Sequence, residues 1–113
     1  MPFKGILTEG APLRIRFQNS LKSAGTAVVV VGFSGPGAGA DVLHQVAPGV
    51  TDDLPPGSVP AAVDQLLIDV SLPDAGTGVL SVESGEDWKD TLTADGAWLF
   101  MVRKPPAAAG GTS

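Results

Sequence analysis

The residues best suited to chemistry lie close together in the run Glu83-Ser84-Gly85-Glu86-Asp87-Trp88-Lys89-Asp90, where Glu83, Glu86, Asp87 and Asp90 surround Trp88. Carboxylates gathered in a short loop offer the hard oxygen ligands that Ca²⁺ takes, although their spacing is not that of an EF-hand loop. A tryptophan beside acidic groups also suits a carbohydrate, the ring stacking on the sugar and the carboxylates accepting bonds from its hydroxyls. The plainer reading is a solvated connection with Trp88 tucked in as a plug. Glu83, Glu86, Asp87, Trp88 and Asp90 are therefore the candidate ligand-binding set. Asp52-Asp53 adds a second acidic pair, too small to define a site alone.

Three other features invite a catalytic reading, and each has a simpler one. Gly35-Pro36-Gly37-Ala38-Gly39-Ala40 fits the glycine spacing of a dinucleotide-binding turn. Such a turn needs a following helix and a second parallel strand bearing an acidic ribose ligand, and the chain offers neither. Gly32-Phe33-Ser34-Gly35-Pro36 has the outline of a nucleophile elbow, but it ends in proline and an α/β-hydrolase sheet does not fit in 113 residues. His44, the one histidine, has no carboxylate partner placed by the sequence and reads as a surface or packed residue. The expectation is a protein that is not an enzyme.

Composition narrows the classes further. There is no cysteine, so disulfides and thiolate metal sites are excluded, and one histidine excludes a histidine-rich metal site within the chain. No cofactor is expected, and Ca²⁺ at the acidic cluster is the single metal alternative. The net charge is −5, and the seven basic residues are scattered, which argues against a phosphate-tracking surface and so against nucleic acid. No apolar run reaches the 18 residues of a membrane-spanning helix. The first residues, Met1-Pro2-Phe3-Lys4, lack the apolar stretch of a signal peptide. The chain is then cytoplasmic as made or a mature form without its leader, and no compartment is assigned. Charged residues make up 17% of the chain, against about 25% in ordinary globular proteins, so neutral or apolar surface must be left outside.

The elements that would position these groups read as strands. Leu13-Arg14-Ile15-Arg16-Phe17-Gln18 alternates apolar and polar, which sets Leu13, Ile15 and Phe17 inward. Val28 to Val31 form a β-branched run, apolar on both faces and hence buried on both sides or at an interface. Between residues 35 and 62 ten of 28 positions are Gly or Pro, and only Asp41 to Ala47 could form a short strand or helical turn. A connection that long is normally functional or disordered. Order returns at residues 63–72, with Leu66, Ile68, Val70 and Leu72 inward. The turn Pro73-Asp74-Ala75-Gly76 then predicts a hairpin with residues 78–83, where Leu80 and Val82 point inward. Asp95-Gly96 predicts a second hairpin, of type I′, setting Leu92 opposite Leu99, Thr93 opposite Trp98 and Thr91 opposite Phe100. The last strand is apolar on both faces, Leu99 and Met101 on one and Trp98, Phe100 and Val102 on the other.

These readings predict an all-β protein, a small antiparallel β-sandwich of jelly-roll or immunoglobulin-like type with six to eight short strands. One domain is expected over residues 1–104, with a long Gly/Pro-rich loop at 35–62 and a C-terminal tail, 105–113, that is flexible or bound to a partner. The expected function is that of a non-enzymatic structural or assembly module, a homo-oligomer joined through apolar strand faces. Trp98, Phe100, Val102, Val29 and Val31 are its candidate interface residues. The alternative is a lectin-like module that binds a carbohydrate or another small ligand in the loop around Trp88.

Overall fold

The computed structural model describes residues 3–73 and 76–105, and among them every regular element is a strand. In chain order these are β1 (Phe3–Thr8), β2 (Arg14–Asn19), β3 (Ala27–Ser34), β4 (Val42–Val46), β5 (Thr51–Leu54), β6 (Gln65–Ser71), β7 (Gly78–Ser84), β8 (Glu86–Leu92) and β9 (Gly96–Arg103). They form a five-stranded sheet ordered β1-β9-β6-β3-β4 and a four-stranded sheet ordered β5-β2-β7-β8. Every pairing is antiparallel except β1 with β9. The protein is thus an all-β sandwich, with nine strands where six to eight were expected. β3, β6 and β9 lie side by side in one sheet, while β2 lies between β5 and β7 in the other.

The period-two pattern places the core. Ile15 and Phe17 of β2 and Leu80 and Val82 of β7 face Val29 and Val31 of β3, Leu66, Ile68 and Val70 of β6, and Trp98 and Phe100 of β9. All are buried. The alternation at 13–17, 66–70 and 80–82 predicts these inward sets, and only Leu72, half-buried beyond the end of β6, falls short. At the end of β2, Asn19 closes a seam between the sheets. Fully buried, it donates through Nδ2 to the carbonyls of Val46 in β4 (2.9 Å) and Gly25 (3.0 Å).

Both predicted hairpins are corrected. β6 pairs with β3 and β9, whereas β7 pairs with β2 and β8, so the Pro73–Gly76 turn carries the chain from one sheet to the other. The Gly76 amide donates to the Pro73 carbonyl (2.8 Å), and Asp74 and Ala75 lie outside the described residues. Likewise β8 and β9 belong to different sheets, so Leu92, Thr93 and Thr91 do not face Leu99, Trp98 and Phe100. A type I′ turn needs positive φ at both central residues, and neither Asp95 nor Gly96 has it. The Asp95 carboxylate instead accepts the Leu72 amide (2.8 Å), pinning one inter-sheet crossing to the other. The tight hairpin forms one strand earlier, where Gly85 takes φ +74° between β7 and β8.

The segment 35–62 is not a continuous loop, because β4 and β5 lie within it. Its glycine-rich start is held against a neighbouring stretch of backbone. The Gly37 amide donates to the Ala62 carbonyl (2.8 Å) and the Asp64 amide to the Ser34 carbonyl (2.7 Å). Gly35 and Gly37 therefore serve close backbone packing, whereas Gly39 has open space around it. Of the predicted tail, 105–113, Pro105 is exposed and 106–113 lie outside the described residues.

Candidate binding surfaces

The acidic cluster lies on a strand rather than in a loop, and strand alternation divides it. Trp88 pairs with buried Val82 and points inward, so Glu86 and Asp90 share its side while Asp87 and Lys89 point outward. Glu83, opposite Asp87 on β7, also faces outward. Among the described residues no three His, Cys, Asp or Glu side chains come together to hold a metal ion.

Trp88 is half-buried and its polar atom is engaged: Nε1 donates to the Lys4 carbonyl (3.0 Å). Its ring meets Phe100 edge-on at 5.1 Å and lies against Gly5 of β1, where a Cβ would stand 2.6 Å from Cζ2. Glycine at position 5 is what lets the indole reach across from β8 to β1. Lys4 finishes this edge of the sandwich. Its Nζ sits 4.7 Å from the Trp98 ring centroid and 3.8 Å from Asp90 Oδ2. Trp88 is thus the plug of the plainer sequence reading, joining the two sheets at their open edge.

The outward-facing Glu83 and Asp87 line a shallow cavity of about 430 Å³ on the four-stranded sheet with Arg16, Ser81 and Lys89, and inward-turned Trp88 forms part of its wall. Arg16 is held by Asp53 of β5 (Nε to Oδ1, 2.8 Å), and Arg14 approaches the same carboxylate at 3.6 Å. This outer face is polar along all four strands apart from Val79 of β7. Of the candidate set Glu83, Glu86, Asp87, Trp88 and Asp90, the cavity takes Glu83, Asp87 and Trp88; Arg16, Ser81 and Lys89, not named from the sequence, join it through the β2–β7–β8 pairing.

The outer face of the five-stranded sheet is the reverse. Four of the five residues expected at an interface, Val29, Val31, Trp98 and Phe100, are in the core, and Val102 is half-buried on the same inward face. Their alternation partners point out. Phe3, Leu99 and Leu67 stand side by side on β1, β9 and β6, with Ile6 and Met101 in the next row and Val30 and Leu43 on β3 and β4. Phe3 (56%), Ile6 (53%), Leu43 (58%) and Met101 (38%) are exposed. Charge is divided in the same way. The four-stranded sheet carries Arg14, Arg16, Asp52, Asp53, Glu83, Glu86, Asp87, Lys89 and Asp90 in its strands, the five-stranded sheet only Lys4, Asp69 and Arg103.

The remaining catalytic candidates lie apart. Ser34 ends β3, and His44 pairs with Val29 five residues back along that strand, roughly 16 Å away at a strand's rise. No helix is long and apolar enough to cross a membrane among the described residues. Compared with known proteins, the chain matches no protein-family model, no curated protein and no solved structure.

Proposed function

We propose that this protein is a non-enzymatic assembly module, a homo-oligomer whose copies stack through the outer face of the five-stranded sheet. The observation that supports this is the apolar row Phe3–Leu99–Leu67, flanked by Ile6, Met101, Val30 and Leu43. An outer sheet face in contact with water alternates to polar residues; here β6 does so at Gln65, Asp69 and Ser71, while β1, β9 and β3 turn Phe3, Ile6, Leu99, Met101 and Val30 outward around Leu67. A two-fold stack covers the same patch on both copies with a single kind of surface. In this proposal the interface moves from Trp98, Phe100, Val102, Val29 and Val31, which face the core, to their outward neighbours. Sedimentation equilibrium tests it: the wild type sediments as a dimer or larger, and Leu99→Asp, which places a charge in the middle of the row, gives a folded monomer.

The cavity on the other sheet supports a second reading, that of a carbohydrate or small polar ligand site. Arg16, Lys89 and Ser81 supply donors there, and Glu83 and Asp87 supply acceptors. Calorimetric titration with neutral and acidic sugars tests it. Saturable binding lost in Asp87→Ala and Lys89→Ala would move the function to this face.

A further inference from the structure

The outer face of the four-stranded sheet sorts its charges by rows. One cross-strand row sets Arg16, Ser81 and Lys89 side by side on β2, β7 and β8, and the next sets Arg14, Glu83 and Asp87. Asp53 is shared by two guanidiniums, 2.8 Å from Arg16 Nε and 3.6 Å from Arg14 Nε, so β2 keeps a surplus of positive charge on this face. The bond to Asp53 uses only Nε of Arg16, which leaves the two terminal nitrogens as donors. Glu83 and Asp87 stand directly opposite each other, an arrangement that costs stability when nothing neutralises the like charges. Arg14 is the cross-strand neighbour of Glu83, and Lys89 lies two residues from Asp87 on the same face. Yet among the described residues none of Glu83, Asp87 and Lys89 takes part in an ion pair. The cavity therefore keeps a positive pole and a negative pole apart.

We infer that the cavity is a site for a small zwitterion, with a carboxylate held between Arg16 and Lys89 over Ser81 and an ammonium held between Glu83 and Asp87. This rests on the cavity being a ligand site, and it narrows the small polar ligand of that reading to one class. The row spacing sets the size. Ser81 and Glu83 are two residues apart on β7, about 7 Å at a strand's rise. An extended chain covers about 3.3–3.6 Å per residue, so a free dipeptide carries its two charged ends at that separation, and a single amino acid reaches only half of it. The Arg16 guanidinium and the Lys89 ammonium give the carboxylate charge-assisted bonds, and the Ser81 hydroxyl donates a further one. The three donors of the ligand's ammonium meet the oxygens of two carboxylates. A neutral sugar would leave both poles uncompensated, and an acidic sugar would compensate only the positive one. A zwitterion has no net charge, so the −5 of the chain does not oppose its approach as it opposes an anion's.

Calorimetric titration with glycylglycine, its N-acetyl and C-amide derivatives, free glycine, glucose and glucuronate provides the test. Glycylglycine should bind saturably. Glycine and each blocked derivative should bind about tenfold more weakly, the scale of losing the charged hydrogen bonds at one end. Two variants assign the ends. Lys89→Gln should weaken glycylglycine but not its amide, which has no carboxylate to lose. Asp87→Asn should weaken glycylglycine but not its N-acetyl derivative, which has no ammonium. Both side chains are exposed on the outer face, so circular dichroism should show both variants folded as the wild type. Glucose or glucuronate binding while glycylglycine does not would keep the cavity as a ligand site and overturn the zwitterion. So would glycine binding as tightly as glycylglycine, or blocked ends that cost nothing. A cavity that takes none of these probes would refute the ligand site itself, and the inference with it.

Discussion

Three side chains define what holds the sandwich together at the level of single residues. Trp98 was open to two readings in the sequence, core or interface, because β9 is apolar on both faces. Its burial to 3% exposure, with Phe100 at 6.4 Å, settles it as core. Trp98→Ala should therefore cost about 3–5 kcal/mol and unfold a domain this small rather than dissociate an oligomer. Thermal melting followed by circular dichroism distinguishes the two. Asn19 sat in what reads as a polar turn, and nothing in the sequence marks it as buried. Asn19→Ala should lose about 1–3 kcal/mol, since it strips the Val46 and Gly25 carbonyls of a buried donor. Gly5→Val should displace the Trp88 indole, at about 1–3 kcal/mol, with a red shift of tryptophan emission as the ring meets water. An unchanged spectrum and melting temperature in Gly5→Val would mean that Trp88 does not bridge the sheets.

At the scale of elements, alternation was legible and pairing was not. Ile15 and Phe17, Leu66 to Val70, and Leu80 with Val82 declare their inward face through period two, and the structure keeps each. Strand partners are set by which sheet a strand joins, and that is decided by long-range packing. Asp95-Gly96 has the composition of a hairpin turn, yet the strands on either side of it bury their apolar faces from opposite sheets. The acidic run at 83–90 looked like a loop because charges dominate it. It is a strand because Trp88 and Leu92 alone suffice to anchor an edge whose remaining residues face water. β4 and β5 were obscured by the Gly and Pro around them.

Across the whole molecule, the asymmetry between the two outer faces is the dominant feature. The low charge content visible in the sequence is not spread evenly: one sheet keeps most of the strand charges, and the other turns an apolar patch on β1, β9 and Leu67 outward beside the polar positions of β6. That division follows from the sandwich itself, since every residue turned away from the core on β1, β9, β6 and β3 is turned toward whatever covers that sheet. Apolar contact between like-charged chains should tighten as salt screens their repulsion, so the dimer dissociation constant should fall, not rise, on going from low to moderate ionic strength. An association that weakened with salt would instead point to ion pairs at the interface. The most direct measurement is sedimentation equilibrium of the wild type beside Leu99→Asp, with circular dichroism on both. The stacked-face assembly predicts a dimer for the wild type and a folded, strand-rich monomer for the variant. A wild type that stays monomeric at the highest soluble concentration, or a variant that assembles as well as the wild type, would contradict it.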